Sequence, residues 1–167
     1  MPMEIERKFL LSESLDSIMK RPEIRFRSEH RIEQTYLAID EQQELRVRKI
    51  KDLATYETEF THTFKNGNGL AREEIEISIS EGIYEQLMRA HQAVPLTKNR
   101  IAAEWEGRVV EIDCYDQLEL TVAEVEFDSE EEANAFVPPN WLGRDISSER
   151  QYSNKTVWRE LQRNKNL

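Results

Sequence analysis

Apolar and polar residues alternate along most of the chain, which predicts a protein built mainly from β-strands. Successive side chains of a strand point to opposite faces, so a two-residue repeat gives each strand one apolar and one polar face. Alternation or strand-like composition predicts eight strands. They cover residues 1–10, 25–39, 44–50, 57–65, 70–80, 98–104, 108–115 and 118–128.

Four other stretches repeat their apolar residues at helical spacing. They cover residues 12–21, 80–94, 129–136 and the segment from Ser153 onwards. Ser12 is predicted to cap the first helix, and Ser129 with Glu132 has the spacing of a capping box on the third. No long repeat, low-complexity stretch or linker interrupts the chain, so we expect one domain over residues 1–167.

Charged residues on these strands are spaced two apart and therefore share one face. Bases mostly accompany bases, and carboxylates accompany carboxylates, with seven bases and eight acids in all. The set is Glu4, Glu6 and Lys8; Arg46 and Arg48; Lys65; Arg72, Glu74 and Glu76; Lys98 and Arg100; Glu111 and Asp113; Glu124 and Glu126. Like charges side by side repel each other unless a ligand or an opposite strand balances them.

Two interpretations of the charged faces stay open on the pattern alone. In an ordinary antiparallel sheet, such a face is turned to water around an apolar interior. In a closed antiparallel barrel, the charged face would line the lumen and the apolar face would turn outward against the helices. Bases would then hold a highly negative ligand, and carboxylates would hold divalent cations that bridge to it. A polyphosphate has this chemistry.

Composition narrows the classes of function. Charged residues make up 34% of the chain, and the net charge of −10 argues against nonspecific binding to nucleic acid or an anionic membrane. The single cysteine, Cys114, excludes an internal disulfide and a cysteine zinc cluster, and it is predicted to lie on an apolar face. We see no signal peptide and no membrane-spanning run, so we expect a cytoplasmic protein. The three histidines are scattered and match no catalytic motif.

The first charged strand also carries a family signature. Residues 4–8, Glu-Ile-Glu-Arg-Lys, resemble the ExExK motif of the CYTH superfamily, the triphosphate tunnel metalloenzymes. Further matches follow in family order, which makes the set specific. They are Leu45-Arg-Val-Arg48; Thr63-Phe-Lys65 with Gly69, Arg72, Glu74 and Glu76; Lys98-Asn-Arg100; Glu111-Ile-Asp113; Glu124-Val-Glu126; Trp141-Leu-Gly143; and Tyr152-Ser-Asn154. Asn99 stands where the family usually has Thr, and Ser147-Ser-Glu149 replaces a more acidic pattern.

The resemblance implies a fold and an activity. The family fold is mainly β: an eight-stranded antiparallel tunnel with a charged lumen and short helices outside. The implied activity is hydrolysis of a triphosphate that depends on Mg²⁺ or Mn²⁺, most often inorganic triphosphate cleaved to pyrophosphate and phosphate. Other activities on the same tunnel stay open: an adenylyl cyclase, a thiamine triphosphatase, or a polyphosphate- or nucleotide-binding module without turnover.

The resemblance also implies roles for the charged residues. The metal-facing carboxylates would be Glu4, Glu6, Glu124 and Glu126, with Glu111 and Asp113 joining this acidic wall. The phosphate-binding residues would be Lys8, Arg46, Arg48, Lys65, Arg72, Lys98 and Arg100. Glu4, Glu6 and Lys8 would take part in catalysis, and Glu74 and Glu76 would orient the bases or the attacking water. The expected partner is a small triphosphate, with no nucleic acid or membrane. A homodimer would follow if an apolar outer face stays uncovered.

Overall fold

The computed structural model describes residues 2–165, and it is mainly β. The elements are β1 (Met3–Leu11), α1 (Leu15–Met19), β2 (Arg25–Ile39), β3 (Gln43–Asp52), β4 (Thr58–Asn66), β5 (Ala71–Ile79), α2 (Glu81–His91), β6 (Leu96–Trp105), β7 (Arg108–Tyr115), β8 (Leu120–Glu126), α3 (Glu130–Ala135), β9 (Leu142–Asp145) and α4 (Asn154–Lys165). A short 3-10 turn, Arg150–Tyr152, precedes α4.

Eight of the strands form a closed antiparallel barrel in the order β5-β4-β3-β2-β6-β7-β8-β1, and β1 pairs again with β5. Strand β1 closes the ring because it pairs with β8 along one edge and with β5 along the other. Residues 6–10 pair with β8, and residues 3–5 pair with β5. Beyond β5, residues 9 and 11 of β1 pair with β9, an extra strand outside the ring that the sequence pattern did not predict. The closed eight-stranded barrel is confirmed.

The apolar faces of the strands turn outward and form the main core against the helices. Phe9, Ile112 and Val125, from three neighbouring strands, are almost completely buried in one cluster. Helix α1 contributes Ile18 to this cluster, and α3 contributes Ala133. Cys114 packs against the same cluster, as its predicted position on an apolar face requires. The lumen is therefore left to the opposite, charged faces.

At one end of the barrel the lumen-facing positions change from charged to apolar. These apolar positions lie two residues from a charge on the same strand face, and they form a second cluster with α4. They are Leu10, Leu96, Tyr115 and Val122. Val157 of α4 is buried among them, and the Trp158 ring lies edge-on to Tyr36, with 5.6 Å between the ring centroids. Helix α4 thus fills this end of the tunnel.

The first two helices are shorter than the sequence pattern predicted. Helix α1 is capped by Ser14, whose Oγ accepts a hydrogen bond from the Ser17 amide, and not by Ser12. The Ser12 hydroxyl instead donates to the Asn140 carbonyl at 2.6 Å, in the loop before β9. Helix α2 ends at His91 because Gln92 adopts a left-handed conformation with φ 49°. On α3, Ser129 accepts from the Glu132 amide as the capping-box spacing predicted.

Part of the outer face of β5 is uncovered. Ile75 and Ile77 are 39% and 53% exposed, and Ile83 at the start of α2 is also exposed. This is the condition under which the sequence predicts a homodimer, and the homodimer stays a prediction. No helix among residues 2–165 combines the length and the apolar composition needed to cross a bilayer.

Strand β9 approaches β1 so closely that Gly143 has no room for a side chain. A Cβ atom at this position would lie 2.9 Å from the Leu10 carbonyl oxygen and 3.3 Å from two further backbone atoms of β1 and the following residue. Backbone cannot yield as a flexible side chain can. We therefore expect Gly143→Ala to lower the free energy of unfolding by about 1–3 kcal/mol, measured by chemical denaturation.

Gly82 in α2 provides the matched control. A Cβ atom there would meet only the Ser80 hydroxyl, at 3.9 Å. Gly82→Ala should therefore leave the stability unchanged or raise it by up to about 1 kcal/mol, because alanine is the better helix former. Equal stability of the two variants would show that β9 does not depend on this close approach.

Candidate functional site

The charged faces of the strands meet inside the barrel and contact one another. Several of these side chains are almost completely shielded from solvent although they carry charge. They are Arg46, Arg48, Lys65, Lys98, Asp113 and Glu124. The interpretation as a solvated sheet face is therefore wrong, and the charged lumen is confirmed.

One wall of the lumen, formed by β6 and β7, is neutralised internally. Lys98 donates to Asp113 at 2.8 Å, and Arg100 binds both oxygens of the same carboxylate at 2.7 and 2.8 Å. Burial alone would raise the pKa of Asp113, but Arg100 and Lys98 outweigh it and hold the pKa well below its usual range. Burial, opposed by Asp113, lowers the pKa of Lys98 to about 7. Both carboxylate oxygens of Asp113 thus accept hydrogen bonds from Lys98 or Arg100. Neither oxygen is free for a metal ion in this structure, and the role of Asp113 as a metal ligand stays a prediction.

Arg100 also extends this network to the next strands. Its guanidinium donates to Glu111 at 3.1 Å and lies 3.8 Å from a Glu124 oxygen. Burial raises the pKa of Glu124, but Arg100 together with Lys8 and Lys98 outweighs it and lowers the pKa to about 2. Glu124 is therefore ionised at neutral pH.

A second network joins β1, β4 and β5. Lys65 lies 2.8 Å from Glu4 and 3.2 Å from Glu74. Arg72 lies 3.7 Å from Glu4 and 3.6 Å from Glu44. Burial opposes ionisation of Glu4, but Lys65 holds its pKa well below the usual range, whereas burial and Glu4 raise the pKa of Glu74.

Arg46 and Arg48 differ from the other cations of the lumen. Within residues 2–165, neither guanidinium forms a salt bridge, although both side chains are buried. Arg48 Nε donates to the side-chain oxygen of Gln34 at 3.0 Å, and Arg46 Nε has no hydrogen-bond partner among those residues. Burial, followed by the neighbouring Arg46 and Arg100, lowers the pKa of Arg48 to about 10, so it stays charged at neutral pH. Two adjacent buried cations thus lack a salt-bridge partner, although Glu44, Glu4 and Glu74 are near enough to raise the pKa of Arg46 despite its burial.

Carboxylates without a full set of cations lie where β1, β8 and β7 adjoin. Glu6 faces Glu126 across the β1–β8 ladder, and Glu111 faces Glu124 across β7–β8. Burial, together with Glu124 and Glu4, raises the pKa of Glu6 well above its usual value. Burial and the nearby Glu111 raise the pKa of Glu126 to about 7. This part of the lumen therefore has more carboxyl groups than its bases can balance, so the protonated forms of Glu6 and Glu126 are favoured until a cation replaces the protons.

These carboxylates fit a cation that takes its remaining ligands from a substrate. Among the residues described, no three or more histidine, cysteine or acidic side chains surround one point at metal-binding distance. Mg²⁺ is commonly held by one or two carboxylates, with waters and substrate phosphates completing the octahedron. Although the ladders align Glu6 with Glu126 and Glu111 with Glu124, the side chains in contact are Glu6 with Glu124 and Glu111 with Glu126. Each of these pairs supplies hard oxygen donors of this kind.

Lys8, the last residue of the ExExK motif, is bound to the closed end of the tunnel. Its ammonium donates to the carbonyl of Tyr152 at 2.7 Å, in the turn before α4. The hydroxyl of Tyr115 donates to Asn154 at the start of the same helix. Lys8 therefore sits at the boundary between the charged lumen and the apolar end.

The other end of the barrel opens into a cavity of about 380 Å³. Its lining includes Arg48, Arg100, Thr61, Glu76 and Glu111, which continues the charged lumen outward. The cavity also reaches His30, Ile32 and Ile50.

The structure also gives the positions of His30, Asn99 and Glu76 relative to the lumen. His30 lies 3.5 Å from Asp52 at the open end, so it lines the cavity even though it belongs to no motif. Asn99, the departure from the family pattern, accepts a hydrogen bond from Arg31 at 3.1 Å on the outer side of the barrel and leaves the lumen unchanged. Glu76 is exposed, and its carboxylate accepts a weak hydrogen bond from Thr63 at 3.4 Å.

Several lumen residues lie outside the charged set predicted from the sequence. Glu44 is buried beside Arg72, and Gln34 and Tyr36 face the arginine pair. Glu44 could have been found because it lies two residues before Arg46 and so shares its face. Gln34 and Tyr36 gave no such signal, because they are uncharged and stand in a strand that was recognised by its apolar residues.

Comparison with known proteins identifies a family and relatives that this chain resembles. The model of the CYTH domain matches residues 2–157. An inorganic triphosphatase of Nitrosomonas europaea is 33% identical over 158 residues, covering 92% of this chain and 95% of that protein. An inorganic triphosphatase of Acetivibrio thermocellus is 27% identical, with 94% of each chain covered.

Solved structures agree with this placement. The crystal structure of an inorganic triphosphatase superposes with a TM-score of 0.62 at 30% identity, covering 95% of each chain. A protein of Pyrococcus horikoshii at 22% identity shares the fold with a TM-score of 0.59, covering 78% of this chain and 83% of that one. The lumen signature, the closed barrel and the match to the family model lead to one conclusion: the chain belongs to the CYTH domain family.

Proposed function

We propose that this protein is a divalent-metal-dependent triphosphatase that hydrolyses inorganic triphosphate to pyrophosphate and phosphate inside the barrel. The observation that carries the proposal is the pair Arg46 and Arg48, two buried cations without a salt bridge, in the same lumen as a group of closely packed carboxyl groups. The names of the relatives at 33% and 27% identity support the same substrate. The cytoplasmic location is part of the proposal.

The arginine pair supplies the anion site. A guanidinium presents a planar fork of donors that matches phosphate oxygens, and its charge-assisted hydrogen bonds are stronger than neutral ones. Because Arg46 and Arg48 have no carboxylate to release, phosphate oxygens can bind them without breaking an existing ion pair. Three further cations lie nearby and are already paired with carboxylates: Lys65, Arg72 and Arg100. They would make the electrostatic potential around the substrate more positive without giving up their salt bridges.

The acidic wall supplies the cation site. Glu6, Glu124, Glu111 and Glu126 would hold the ion, and Glu4 would share it with Lys65. A bound Mg²⁺ or Mn²⁺ neutralises phosphate oxygens and makes the phosphorus more electrophilic. Without it, the carboxylates would repel the substrate.

The remaining residues position the reactants. Hydrolysis breaks the bond between the terminal phosphorus and its bridging oxygen, consumes one water and passes a proton of that water to solvent or to a wall carboxylate. Glu74 orients Lys65, with which it forms a salt bridge, and Glu76 lies beside it at the open end. Lys8 stabilises negative charge at the closed end of the lumen.

A triphosphate ester is the second candidate substrate, as in a thiamine triphosphatase or an adenylyl cyclase. Ile32 and Ile50 are cross-strand neighbours in the lumen and line the cavity beside Arg48. The cavity of about 380 Å³ reaches the lower end of the size range of pockets that bind small organic ligands. An organic group could therefore rest on the isoleucines while its phosphates reach the arginines.

The test of the proposed function is phosphate release from inorganic triphosphate, ATP and thiamine triphosphate, each with Mg²⁺, Mn²⁺ or EDTA. We expect metal-dependent release from inorganic triphosphate and none in EDTA. Preference for an ester would favour the second candidate. Tight binding of triphosphate without release at either metal would instead identify a binding module.

The acidic wall can be tested with Glu4→Gln and Glu6→Gln, which keep the size of the side chain and remove its charge. We expect each variant to lose at least about 100-fold in kcat, because the cation loses a ligand in the transition state. The far-ultraviolet circular dichroism should match that of the native protein. Full activity in both variants would remove these residues from the mechanism.

The arginine pair should contribute to function and not to stability. We expect Arg48→Met to lower kcat/KM by about 10–100-fold, the value of one or two hydrogen bonds to a charged group. The free energy of unfolding should stay the same or rise, since an unpaired buried charge is removed. The matched contrast is Asp113→Asn, which leaves Lys98 without its anion and Arg100 with Glu111 and Glu124 only. This variant should cost about 3–5 kcal/mol in chemical denaturation. A destabilised Arg48→Met with normal kcat/KM would make Arg48 a structural residue.

A further inference from the structure

Several polar atoms near the arginine pair are buried and have no partner. Among residues 2–165, these include the side-chain nitrogen Nε2 of Gln34, Nε of Arg46 and the hydroxyl of Thr61. Gln34 is 0% exposed and Thr61 is 6% exposed. Native proteins satisfy most buried polar groups, and leaving one unpaired costs about 1–3 kcal/mol. Three such atoms in one region of the lumen indicate a missing acceptor.

The register of the barrel places Gln34 and Thr61 on the two sides of Arg48. Gln34 faces Arg48 across the β2–β3 ladder, and Thr61 faces Arg48 across the β3–β4 ladder. The three side chains form a continuous row on the lumen side of three strands. Arg46 lies two residues along β3 from Arg48 and therefore on the same face.

The existing hydrogen bonds leave donors free in this row. The side-chain oxygen of Gln34 accepts from Arg48 Nε at 3.0 Å, so its NH₂ group is turned away from that bond with both hydrogens unused. The hydroxyl of Thr61 can also donate. Thr63, the next lumen threonine of β4, differs because its hydroxyl is already directed at Glu76.

A phosphate group held by the arginine pair would be the missing acceptor. Each of its oxygens can accept several hydrogen bonds, and both arginines already draw it to this row. We propose that Gln34 and Thr61 are substrate-binding residues that donate hydrogen bonds to the phosphate oxygens held by Arg46 and Arg48. This inference rests on the proposed triphosphatase function and adds uncharged donors to its phosphate site.

Uncharged donors have a physical advantage at this position. A third and fourth cation beside Arg46 and Arg48 would add repulsion within a buried wall. An amide and a hydroxyl bind oxyanion oxygens without adding charge. They also fix where the phosphate sits, because a hydrogen bond is more directional than the attraction between two charges.

The test uses two variants that keep the shape of the side chain, Thr61→Val and Gln34→Met, and measures kcat/KM for inorganic triphosphate with Mg²⁺ or Mn²⁺. We expect each to lower kcat/KM by about tenfold, the value of one hydrogen bond to a charged group. Thr61→Ser should restore most of the loss, because it keeps the hydroxyl. A loss caused only by altered packing would not be restored in this way.

Thr35→Val is the matched control for Thr61→Val. Thr35 is also fully buried, but it lies on the outer side of β2, where its hydroxyl contacts the sulfur of Met88 at 3.6 Å. We expect this variant to keep native kcat/KM.

The outcomes separate the inference from the proposed function. Native kcat/KM in both Thr61→Val and Gln34→Met would overturn the inference and leave the triphosphatase intact. An equal loss in Thr61→Ser and Thr61→Val would exclude the hydroxyl of Thr61 as a donor to the substrate. A native protein that releases no phosphate from triphosphate with either metal would overturn the proposed function and, with it, this inference.

Discussion

An ion buried without a counter-ion costs several kcal/mol, and this constraint organises the interior of the barrel. Asp113 lies between Lys98 and Arg100, and Lys65 lies between Glu4 and Glu74. These contacts let the strands bring opposite charges together inside a closed sheet. They also make the exceptions informative, because the groups left without a salt bridge are those for which we propose a ligand.

The order of the strands decides which charged pairs are left over. Lys98-Asn-Arg100 and Arg46-Val-Arg48 look alike in the sequence, each with two bases on one face. Strand β6 has β7 as its neighbour, and β7 brings Asp113 to the bases. Strand β3 lies between β2 and β4, which offer Gln34 and Thr61 at the level of Arg48. The same local pattern therefore gives a neutralised wall in one place and, in another, the arginine pair for which we propose an anion.

Much of this architecture could be predicted because it follows from local alternation. A two-residue repeat assigns each strand its two faces, and the resemblance of the charged positions to the family motifs decides between a face turned to water and a face turned to a closed lumen. Strand β9 was missed because four residues are too few to show a repeat, and its place depends on the close approach of Gly143 to β1. The bond from Lys8 to the Tyr152 carbonyl was equally hidden, since it depends on how the C-terminal segment folds back across the barrel end. Uncharged lumen residues such as Gln34 gain their meaning only from the neighbours that the register gives them.

The change from charged to apolar positions along β1, β6, β7 and β8 gives the tunnel a direction. Because α4 packs into the apolar end, the lumen formed by residues 2–165 is open at the opposite end, and we expect a ligand to enter and leave there. The two fragments of a cleaved ligand would then leave one after the other, and the fragment nearer the open end would leave first. A longer linear ligand could insert only one of its ends into the lumen. Four apolar residues would thus limit how deeply the end of a linear ligand can enter: Leu10, Leu96, Tyr115 and Val122.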